Sequence, residues 1–386
     1  MSSDARLRAD HVVTPAGPIH DALLTLSGNR LTSCTPYEPS AGPEPEHVAG
    51  WVVPGFVDTH VHGGGGFDYA TENPQEAIGA RAFHAAHGTT TSLASLVTAP
   101  VDVLCRQLET LADLVDDGHF AGIHLEGPFL SPAQPGAHDP ALLRAPDPVT
   151  VEQLIAAGRG ALTVITLAPE LPGAGVAIAQ LLDAGVRVAF GHTDADQDTA
   201  AAAVDAGASV VTHLFNAMRG IHHRQPGPIP RLLIDERVSV EMIADGFHLH
   251  PDVLRLALAA AGPDRVMLVT DAMAASGMPD GEFRLGGREV RVRQGQARLV
   301  SDDANPGPIA GSTLTMAGAF RVMTAITGDI PTVAALASTN PARRFGLAEV
   351  GRIEPGCRAD LCVVDHQGVL QRAMKAGRWL SRPAAG

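Results

Sequence analysis

The chain has 386 residues, of which 45% are hydrophobic and 4% aromatic, so it is long enough for a large globular core built from aliphatic side chains. Lys and Arg number 28 against 42 Asp and Glu, and the formal charge of −14 argues against nucleic acid or an anionic membrane as a partner. No apolar run is long enough for a transmembrane helix, the first residues lack the apolar region of a signal peptide, and the four cysteines include no CxxC pair. These features predict a cytoplasmic protein with reduced thiols.

The two ends of the chain are predicted to be β structure. Short apolar runs at 11–13 and 22–26 are separated by Pro-Ala-Gly and Ser-Gly-Asn turns, and a run at 359–364 follows a Glu-Pro-Gly turn. Two isolated sheets of this size would be marginally stable. We therefore expect the ends to build one small β-sandwich domain from residues 1–52 and 350–386.

Between the ends, short β-type runs alternate with Ala-rich helical segments. The eight runs are 55–62, 89–96, 122–127, 163–169, 186–192, 209–214, 238–244 and 266–270. Eight β/α units predict an α/β fold, a (β/α)8 TIM barrel, over residues 53–349. A doubly wound sheet is the alternative, but no GxGxxG motif opens a helix here. Residues 281–300 alternate polar and apolar side chains after the eighth run and predict an inserted hairpin.

Metal-binding residue types lie where five of the predicted strands end. They are His60 and His62, His124 and Glu126, His192, His213, and Asp271. The active site of a barrel lies at the carboxyl ends of its strands, and residues i and i+2 of a strand share a face, so His60 and His62 can point into one mouth. Taken singly, each residue has a structural explanation: a hydrogen-bonded histidine, a rim ion pair for Glu126, or a helix N-cap for Asp271. Taken together, they predict a site for Zn²⁺ or another divalent first-row metal.

Several motifs carry a resemblance to a known family. PGFVDTHVHG at 54–63 resembles the opening of the amidohydrolase superfamily, in which a (β/α)8 barrel carries a small β domain made from both chain ends. The closer resemblance, over nearly the whole chain, is to the N-acetylglucosamine-6-phosphate deacetylases. It rests on HLEGPF at 124–129, GHT at 191–193, THLFNAM at 212–218, ADGFH at 244–248, TDA at 270–272, AGS at 310–312 and GCRADL at 356–361.

The resemblance implies a metal-dependent enzyme that hydrolyses N-acetylglucosamine 6-phosphate to glucosamine 6-phosphate and acetate, in amino-sugar catabolism and cell-wall recycling. It implies that Glu126, His192 and His213 hold the catalytic metal. Many amidohydrolases use a modified lysine of the fourth strand as a bridging ligand, but the fourth predicted strand here has no lysine and Glu126 takes that place. Some relatives have Gln and Asn in place of His60 and His62 and use one metal. Because both histidines are present here, one or two ions are expected per subunit: Zn²⁺ first, with Fe²⁺, Co²⁺, Mn²⁺ or Cd²⁺ as alternatives.

The resemblance also implies the catalytic and substrate-binding residues. Asp271 would accept a proton from the attacking water and pass it to the amine, while His138 would face the acetyl carbonyl. The implied substrate-binding residues are Ala137, His138, Asn216, Ala217, Arg224, His248, Ile309, Ala310 and Gly311. Arg224 is expected to bind the phosphate of a neighbouring active site in a homodimer. His222, His223 and His250 match no assigned role.

Two other functions are compatible with the sequence. The chain could be a different amidohydrolase, such as a D-aminoacyl or cyclic-amide hydrolase, although Arg224 and the HLFNAM segment argue against it. It could also be a catalytically inactive barrel that serves as a scaffold. Loss of Asp271 or of a metal ligand would favour that alternative, and both are intact.

Overall fold

A computed structural model of the chain describes residues 5–39, 43–301 and 306–381. The strands are β1 (Ala5–Thr14), β2 (Gly17–Ser27), β3 (Arg30–Pro36), β4 (Glu46–Pro54), β5 (Phe56–Asp58), β6 (Gly63–Gly64), β7 (Phe67–Asp68), β8 (Thr89–Ser92), β9 (Ala94–Val97), β10 (Ile123–Glu126), β11 (Leu162–Leu167), β12 (Arg187–Phe190), β13 (Val210–Val211), β14 (Ser239–Ile243), β15 (Val266–Val269), β16 (Gly281–Leu285), β17 (Arg288–Arg293), β18 (Gln296–Leu299), β19 (Leu361–Val364), β20 (Leu370–Lys375) and β21 (Arg378–Trp379).

The helices alternate with the strands through the middle of the chain. They are α1 (Pro74–Ala86), α2 (Val101–Asp116), α3 (Pro148–Gly158), α4 (Ala174–Asp183), α5 (Gln197–Asp205), α6 (Ile229–Ile234), α7 (Pro251–Ala261), α8 (Met316–Thr327), α9 (Ile330–Ala334) and α10 (Asn340–Arg344), with a 3₁₀ turn at Pro140–Leu142 and a π turn at Ala335–Thr339. Among the described residues, no helix combines the length and the apolar character needed to cross a membrane.

Both chain ends contribute to one seven-stranded sheet, as the sequence predicts. Its strand order is β21-β20-β19-β4-β1-β2-β3. β1 and β2 form an antiparallel hairpin in which Thr14 lies opposite Gly17. The inward-facing side chains Leu24 and Leu26 of β2 are buried and alternate with more exposed neighbours, which is the period-2 pattern of a sheet with one covered face.

The predicted β-type runs of the middle form the strands β5 and β8 to β15. β9 to β15 make a second sheet in which consecutive strands are parallel neighbours. Their side chains are almost all buried, as in β15 with its Val-Met-Leu-Val run, because helices cover the strands of parallel sheets. The strand order never reverses, which rules out the doubly wound alternative. The α/β class and the (β/α)8 barrel are therefore confirmed.

Local signals set the helix bounds. Asp196 caps α5 by accepting a hydrogen bond from the backbone N–H of Thr199. Thr315 caps α8 in the same way, and Gly328 ends that helix in the left-handed conformation. Because α8, the next helix after Asp271, has Thr315 as its cap, helix capping does not explain Asp271.

The predicted hairpin at 281–300 is a three-stranded antiparallel sheet of β16, β17 and β18. The alternating pattern predicted a hairpin, and a second turn at Gln294 and Gly295 adds a third strand. Its apolar face packs Leu285 and Val290 into a core cluster with Met273. The hairpin is therefore part of the barrel unit's core.

By its internal contacts the chain divides into two compact units. One comprises Met1–Asp58, Ala82–Thr91 and Thr315–Gly386, and the other comprises Thr59–Arg81 and Ser92–Leu314. All the predicted site residues belong to the second unit. The domain boundaries drawn from the sequence stay predictions, and the parts of them at 1–4, 40–42, 302–305 and 382–386 lie outside the described residues.

Candidate metal centre and substrate cavity

Six ligand-type side chains converge beyond the carboxyl ends of the barrel strands, and all six are buried. They are His60, His62, Glu126, His192, His213 and Asp271. Glu126 is the last residue of β10, and the others lie in the loops that directly follow β5, β12, β13 and β15. The structure thus brings together six of the seven residues that the sequence placed at five strand ends. The seventh, His124, is a buried histidine hydrogen-bonded to Ser95 and Thr166.

Three of these residues have a backbone conformation that is rare outside glycine. The φ angles are 52° at His192, 27° at His213 and 49° at Asp271. Each such residue costs on the order of 1–3 kcal/mol and persists only where its surroundings fix it. At Asp271 the fixing contact is a hydrogen bond of 2.8 Å from its backbone N–H to the carbonyl of His60. The three residues in this left-handed conformation therefore lie just after β12, β13 and β15, where the ligand-type side chains converge.

Glu126, His192 and His213 form one group able to hold a metal ion. Glu126 Oε1 lies 3.0 Å from Nε2 of His213 and 3.3 Å from Nε2 of His192. The carbonyl oxygen of Gln134 lies 3.0 Å from Nδ1 of His192. Because a carbonyl only accepts, Nδ1 of His192 donates to it, and Nε2 is the ring nitrogen that faces Glu126.

His60, His62 and Asp271 form a second group of this kind. Asp271 Oδ1 lies 3.2 Å from Nε2 of His62 and 3.4 Å from Nε2 of His60. Glu126 adjoins this group too, with Oε2 3.4 Å from Nε2 of His62. The Glu126 carboxylate therefore lies between the two groups and faces histidines, not the Lys or Arg of a rim ion pair.

The electrostatics of the centre favour positive charge beside its carboxylates. Burial would raise the pKa of Glu126, but the facing imidazole of His60 and hydrogen bonds from other histidines hold that pKa well below its usual range. Burial opposes protonation of His62, yet hydrogen bonds to Asp271 and Glu126 raise its pKa to about 9. When the imidazoles are deprotonated, these converging buried nitrogen and carboxylate oxygen atoms are a ligand set that suits a divalent first-row cation.

A cavity of about 330 Å³ opens over the centre. The predicted residues that line it are His62, Glu126, Ala137, His138, His192, His213, Asn216, Ala217, His248, Asp271, Ile309 and Gly311. Three predicted residues within the described part do not line it: His60 is fully buried beside His62, Ala310 is buried with its N–H bonded to Ala297, and Arg224 is exposed on the surface loop 219–227.

Two cavity histidines are oriented by neighbours. His138 Nε2 lies 3.3 Å from Glu126 Oε2, and its backbone carbonyl accepts a hydrogen bond of 3.1 Å from Arg288. Burial lowers the pKa of His138, which favours its neutral form. His248 donates from Nδ1 to Asp245 Oδ2 over 2.7 Å, which leaves its Nε2 for a ligand. Both rings are therefore held ready for a bound molecule.

The contributors to this site that sequence reasoning missed include Glu241, Gln134 and Leu285. Glu241 of β14 lies 3.2 Å from Nδ1 of His60, and its signal was that it is the single charged residue in the run 238–244. Gln134 acts through its backbone carbonyl, for which residue identity gives no signal. Leu285 lines the cavity from the tip of the hairpin, and only the tertiary fold brings it there.

Comparison with known proteins agrees with this geometry. The model of the amidohydrolase family matches residues 51–380. A curated N-acetylgalactosamine-6-phosphate deacetylase of Escherichia coli O157:H7 is 38% identical over 366 residues, which are 93% of this chain and 94% of that protein. The N-acetylglucosamine-6-phosphate deacetylase of Bacillus subtilis (strain 168) is 36% identical over 324 residues, 81% and 80% of the two chains. The chain belongs to the amidohydrolase family.

A solved structure extends the likeness to the whole fold. It is an Asp-to-Ala mutant of N-acetyl-D-glucosamine-6-phosphate deacetylase from Mycobacterium smegmatis in complex with N-acetyl-D-glucosamine 6-phosphate. It is 45% identical, has a TM-score of 0.93, and the alignment covers 98% of this chain and 99% of that one. The amidohydrolase resemblance carried by the sequence motifs is confirmed.

Proposed function

We propose that this protein is a metal-dependent deacetylase that hydrolyses N-acetylglucosamine 6-phosphate to glucosamine 6-phosphate and acetate, in amino-sugar catabolism and cell-wall recycling. The observation that carries the proposal is the position of Asp271 and the Glu126, His192 and His213 group in one cavity. His138 and His248 line the same cavity. The deacetylases among its relatives support the choice of substrate.

In this proposal Glu126, His192 and His213 hold the catalytic cation, and His60 and His62 allow a second one. Zn²⁺ suits the imidazole and carboxylate donors best, and Fe²⁺, Co²⁺, Mn²⁺ and Cd²⁺ are the alternatives. A bound divalent cation lowers the pKa of water towards about 7 and polarises a carbonyl. The chain itself must then orient the amide and move the proton.

Asp271 is the group proposed to move the proton. Its imidazole neighbours His60 and His62 hold the pKa of the carboxyl below its usual range against the effect of burial, so the side chain is ionised and can accept a proton. It takes a proton from the attacking water and gives it to the amine nitrogen as the C–N bond breaks. One side chain thus serves both proton transfers, and the products are acetate and the free amine.

His138 is proposed to stabilise the oxyanion that forms on the acetyl oxygen. It is buried in the cavity wall, and burial favours its neutral form. A neutral imidazole can donate one hydrogen bond to the developing negative charge. The Arg288 contact to its backbone limits its movement, so little reorganisation is needed during the reaction.

The sugar is proposed to contact cavity residues other than the catalytic group. Asn216 donates from its amide to the carbonyls of His213 and Leu214, which leaves its oxygen for a sugar hydroxyl. Gly311 lets the backbone approach closely, since a Cβ there would lie 3.0 Å from the carbonyl oxygen of Asp271. The loop from Ile309 through Ala310 to Gly311 and the pair Ala137 and Ala217 complete the proposed sugar contacts.

His248 is proposed to bind the phosphate, together with Arg224 of a second subunit in a homodimer. A phosphate needs cationic donors, and the Arg224 side chain is exposed and lies outside the cavity lining of its own chain. A dimer would bring such an exposed arginine to a neighbouring cavity.

A cytoplasmic location is also part of the proposal, and the four cysteines with free thiols support it.

Acetate release from N-acetylglucosamine 6-phosphate, measured together with metal content, tests this function. We expect turnover that a chelator abolishes and added Zn²⁺ restores. Turnover restricted to D-aminoacyl or cyclic amides would favour the other amidohydrolase activities. A metal-loaded protein that hydrolyses none of these substrates would be a scaffold.

A second candidate substrate is N-acetylgalactosamine 6-phosphate, because a relative that is 38% identical over 93% of this chain is named for it. The two sugars differ only in the orientation of one hydroxyl. Values of kcat/KM for both epimers, measured on one preparation, decide between them. A higher value for the galacto epimer would reassign the natural substrate while leaving the deacetylase chemistry in place.

A further inference from the structure

Two histidines face each other on neighbouring strands of the terminal sheet. His11 of β1 lies directly opposite His20 of β2, and a hydrogen bond of 2.7 Å joins their Nδ1 atoms, one of which donates to the other. His20 is exposed and His11 is half-buried. The deacetylase function proposed above uses neither residue, and both belong to the unit that contains the chain ends.

We propose that His11 and His20 form a chelating site for a divalent transition-metal ion of tetragonal geometry, Cu²⁺ or Ni²⁺. With metal–nitrogen bonds of about 2.0 Å, two ligands at a right angle lie roughly 2.8 Å apart, and two tetrahedral ligands roughly 3.3 Å apart. The hydrogen-bonded separation of 2.7 Å already brings the two nitrogens near the right-angle spacing, so an ion can replace the proton between them with little movement of the rings. Two imidazoles completed by water are a donor set that suits Cu²⁺ or Ni²⁺.

The strands hold the two rings in place. Cross-strand partners have their side chains on one face of the sheet, a few ångströms apart, so the second imidazole is already beside the first when an ion binds. The pairing continues on both sides of His11, from Ala5 opposite Leu26 to Thr14 opposite Gly17. A preformed pair loses little side-chain entropy when it binds an ion.

The surroundings of the pair favour a bound cation. Asp10, next to His11 in the chain, accepts hydrogen bonds from the backbone N–H of Gly50 and from His47. An aspartate carboxylate is negative at neutral pH, so it adds negative charge near the pair. His11 is half-buried, and an ion there is less screened by water than one at a fully exposed site.

Trp51 supplies an intrinsic reporter for this site. Its ring lies 4.4 Å from the His11 ring, and its Nε1 donates to Nδ1 of His366 over 3.3 Å. That contact engages His366, so the proposed chelate consists of His11 and His20, with water in the remaining positions. An open-shell ion at the pair would quench the fluorescence of Trp51.

The test is a Cu²⁺ titration of the full-length, Zn²⁺-loaded enzyme carrying Trp379→Phe, so that Trp51 is its only tryptophan. We expect saturable quenching with one ion per chain. His20→Gln removes half of the chelate and should weaken Cu²⁺ on the order of 10²-fold, because the second ligand no longer adds to the first. Ni²⁺ should compete with Cu²⁺ more effectively than Zn²⁺ does.

His223→Gln is the matched control, since His222 and His223 are also exposed neighbours, with ring centroids 4.4 Å apart. It should leave the quenching of Trp51 unchanged. His11→Gln gives a second, independent loss of the chelate, and circular dichroism verifies that each variant is folded. Equal Cu²⁺ affinity in the parent and both chelate variants would overturn the proposal, and so would Zn²⁺ binding as tightly as Cu²⁺. Acetate release tests the deacetylase proposal separately.

Discussion

Glu241 lies 3.2 Å from Nδ1 of His60 through its Oε2 atom, at the base of the candidate metal centre. Its other oxygen accepts a hydrogen bond of 3.3 Å from the hydroxyl of Thr59. A carboxylate only accepts, so Nδ1 of His60 donates and Nε2 turns towards Asp271. Glu241 is therefore a positioning residue that fixes both the tautomer and the direction of the His60 ring.

Replacement of Glu241 by Ala should lower the affinity for a metal ion bound by His60. Removing such a partner of a ligating histidine costs about 10–100-fold in metal affinity, because the ring loses its fixed orientation. Metal retention against a competing chelator measures the effect. Thr59→Val removes the hydroxyl contact of Glu241 but leaves its contacts to His60 and to the backbone N–H of His213, so this control should change retention much less. Unaltered retention in Glu241→Ala would show that the contact does not orient His60.

Asp271→Asn should abolish turnover while the Glu126 group still binds metal and the cavity still binds substrate. The expected loss in kcat is about 10²–10⁴-fold or more, because the same carboxylate serves two proton transfers. Calorimetric substrate binding and metal analysis accompany the rate measurement. Asp252→Asn, at an exposed aspartate of α7, is the control for a lost carboxylate. Near wild-type kcat in Asp271→Asn would assign the proton transfer elsewhere.

Arg224→Ala should raise KM for the phosphorylated sugar far more than for the unphosphorylated one. A charge-assisted contact to phosphate contributes on the order of 1.5–3 kcal/mol. Mixing Arg224→Ala chains with Asp271→Asn chains should restore part of the activity, since one site in each mixed dimer would then have both groups. Equal losses on both sugars would remove Arg224 from phosphate binding. Mixed dimers without rescue would place it in its own subunit's site.

The Glu126 group and the His60 and His62 group should differ in how strongly kcat depends on them. A His60→Gln, His62→Asn double variant should lose at most one equivalent of metal and keep a substantial share of kcat, because the Glu126 group and Asp271 suffice for the proposed chemistry. Glu126→Gln should lose both tightly bound metal and activity, since an amide is a weaker ligand than a carboxylate. Mass spectrometry of metal content beside kcat decides this. An inactive double variant that retains one metal would mean that the reaction needs two.

Asp235 should contribute stability that depends on pH. It accepts hydrogen bonds from Nε of Arg237 at 2.9 Å and from Arg231 at 3.0 Å, and these arginines, Arg237 foremost, hold its pKa below the usual range. A lowered folded-state pKa stabilises the fold above the unfolded value of about 3.9 and loses this effect as the pH falls towards the folded value. Asp235→Asn should therefore cost about 1.5–3 kcal/mol at pH 7.

Urea unfolding of the metal-free protein at several pH values measures this effect. The difference between wild type and Asp235→Asn should shrink below about pH 4. Asp252→Asn is the matched control, because its pair with Arg255 is exposed and contributes little. A difference that stays constant with pH would mean that the charge of Asp235 is not responsible.

Strand periodicity and residue chemistry were enough to predict most of the barrel. The alternation of apolar runs with Ala-rich segments predicted β5 and β8 to β15 with short errors at their ends, because buried parallel strands are continuous apolar runs. The same patterns placed His62 and Asp271 at the carboxyl ends of strands. Their convergence follows from the barrel itself, which directs every strand end to one face.

The sequence by itself determined the fold class, the family and the ligand-type residues, because these depend on local pattern and residue identity. Only the tertiary structure decided which groups orient them. Glu241 meets His60 across 181 positions of the chain, and Gln134 acts on His192 through a carbonyl that every residue type possesses. The opposition of His11 and His20 likewise depends on strand register. Such contacts follow from backbone geometry between distant segments, which no local pattern encodes.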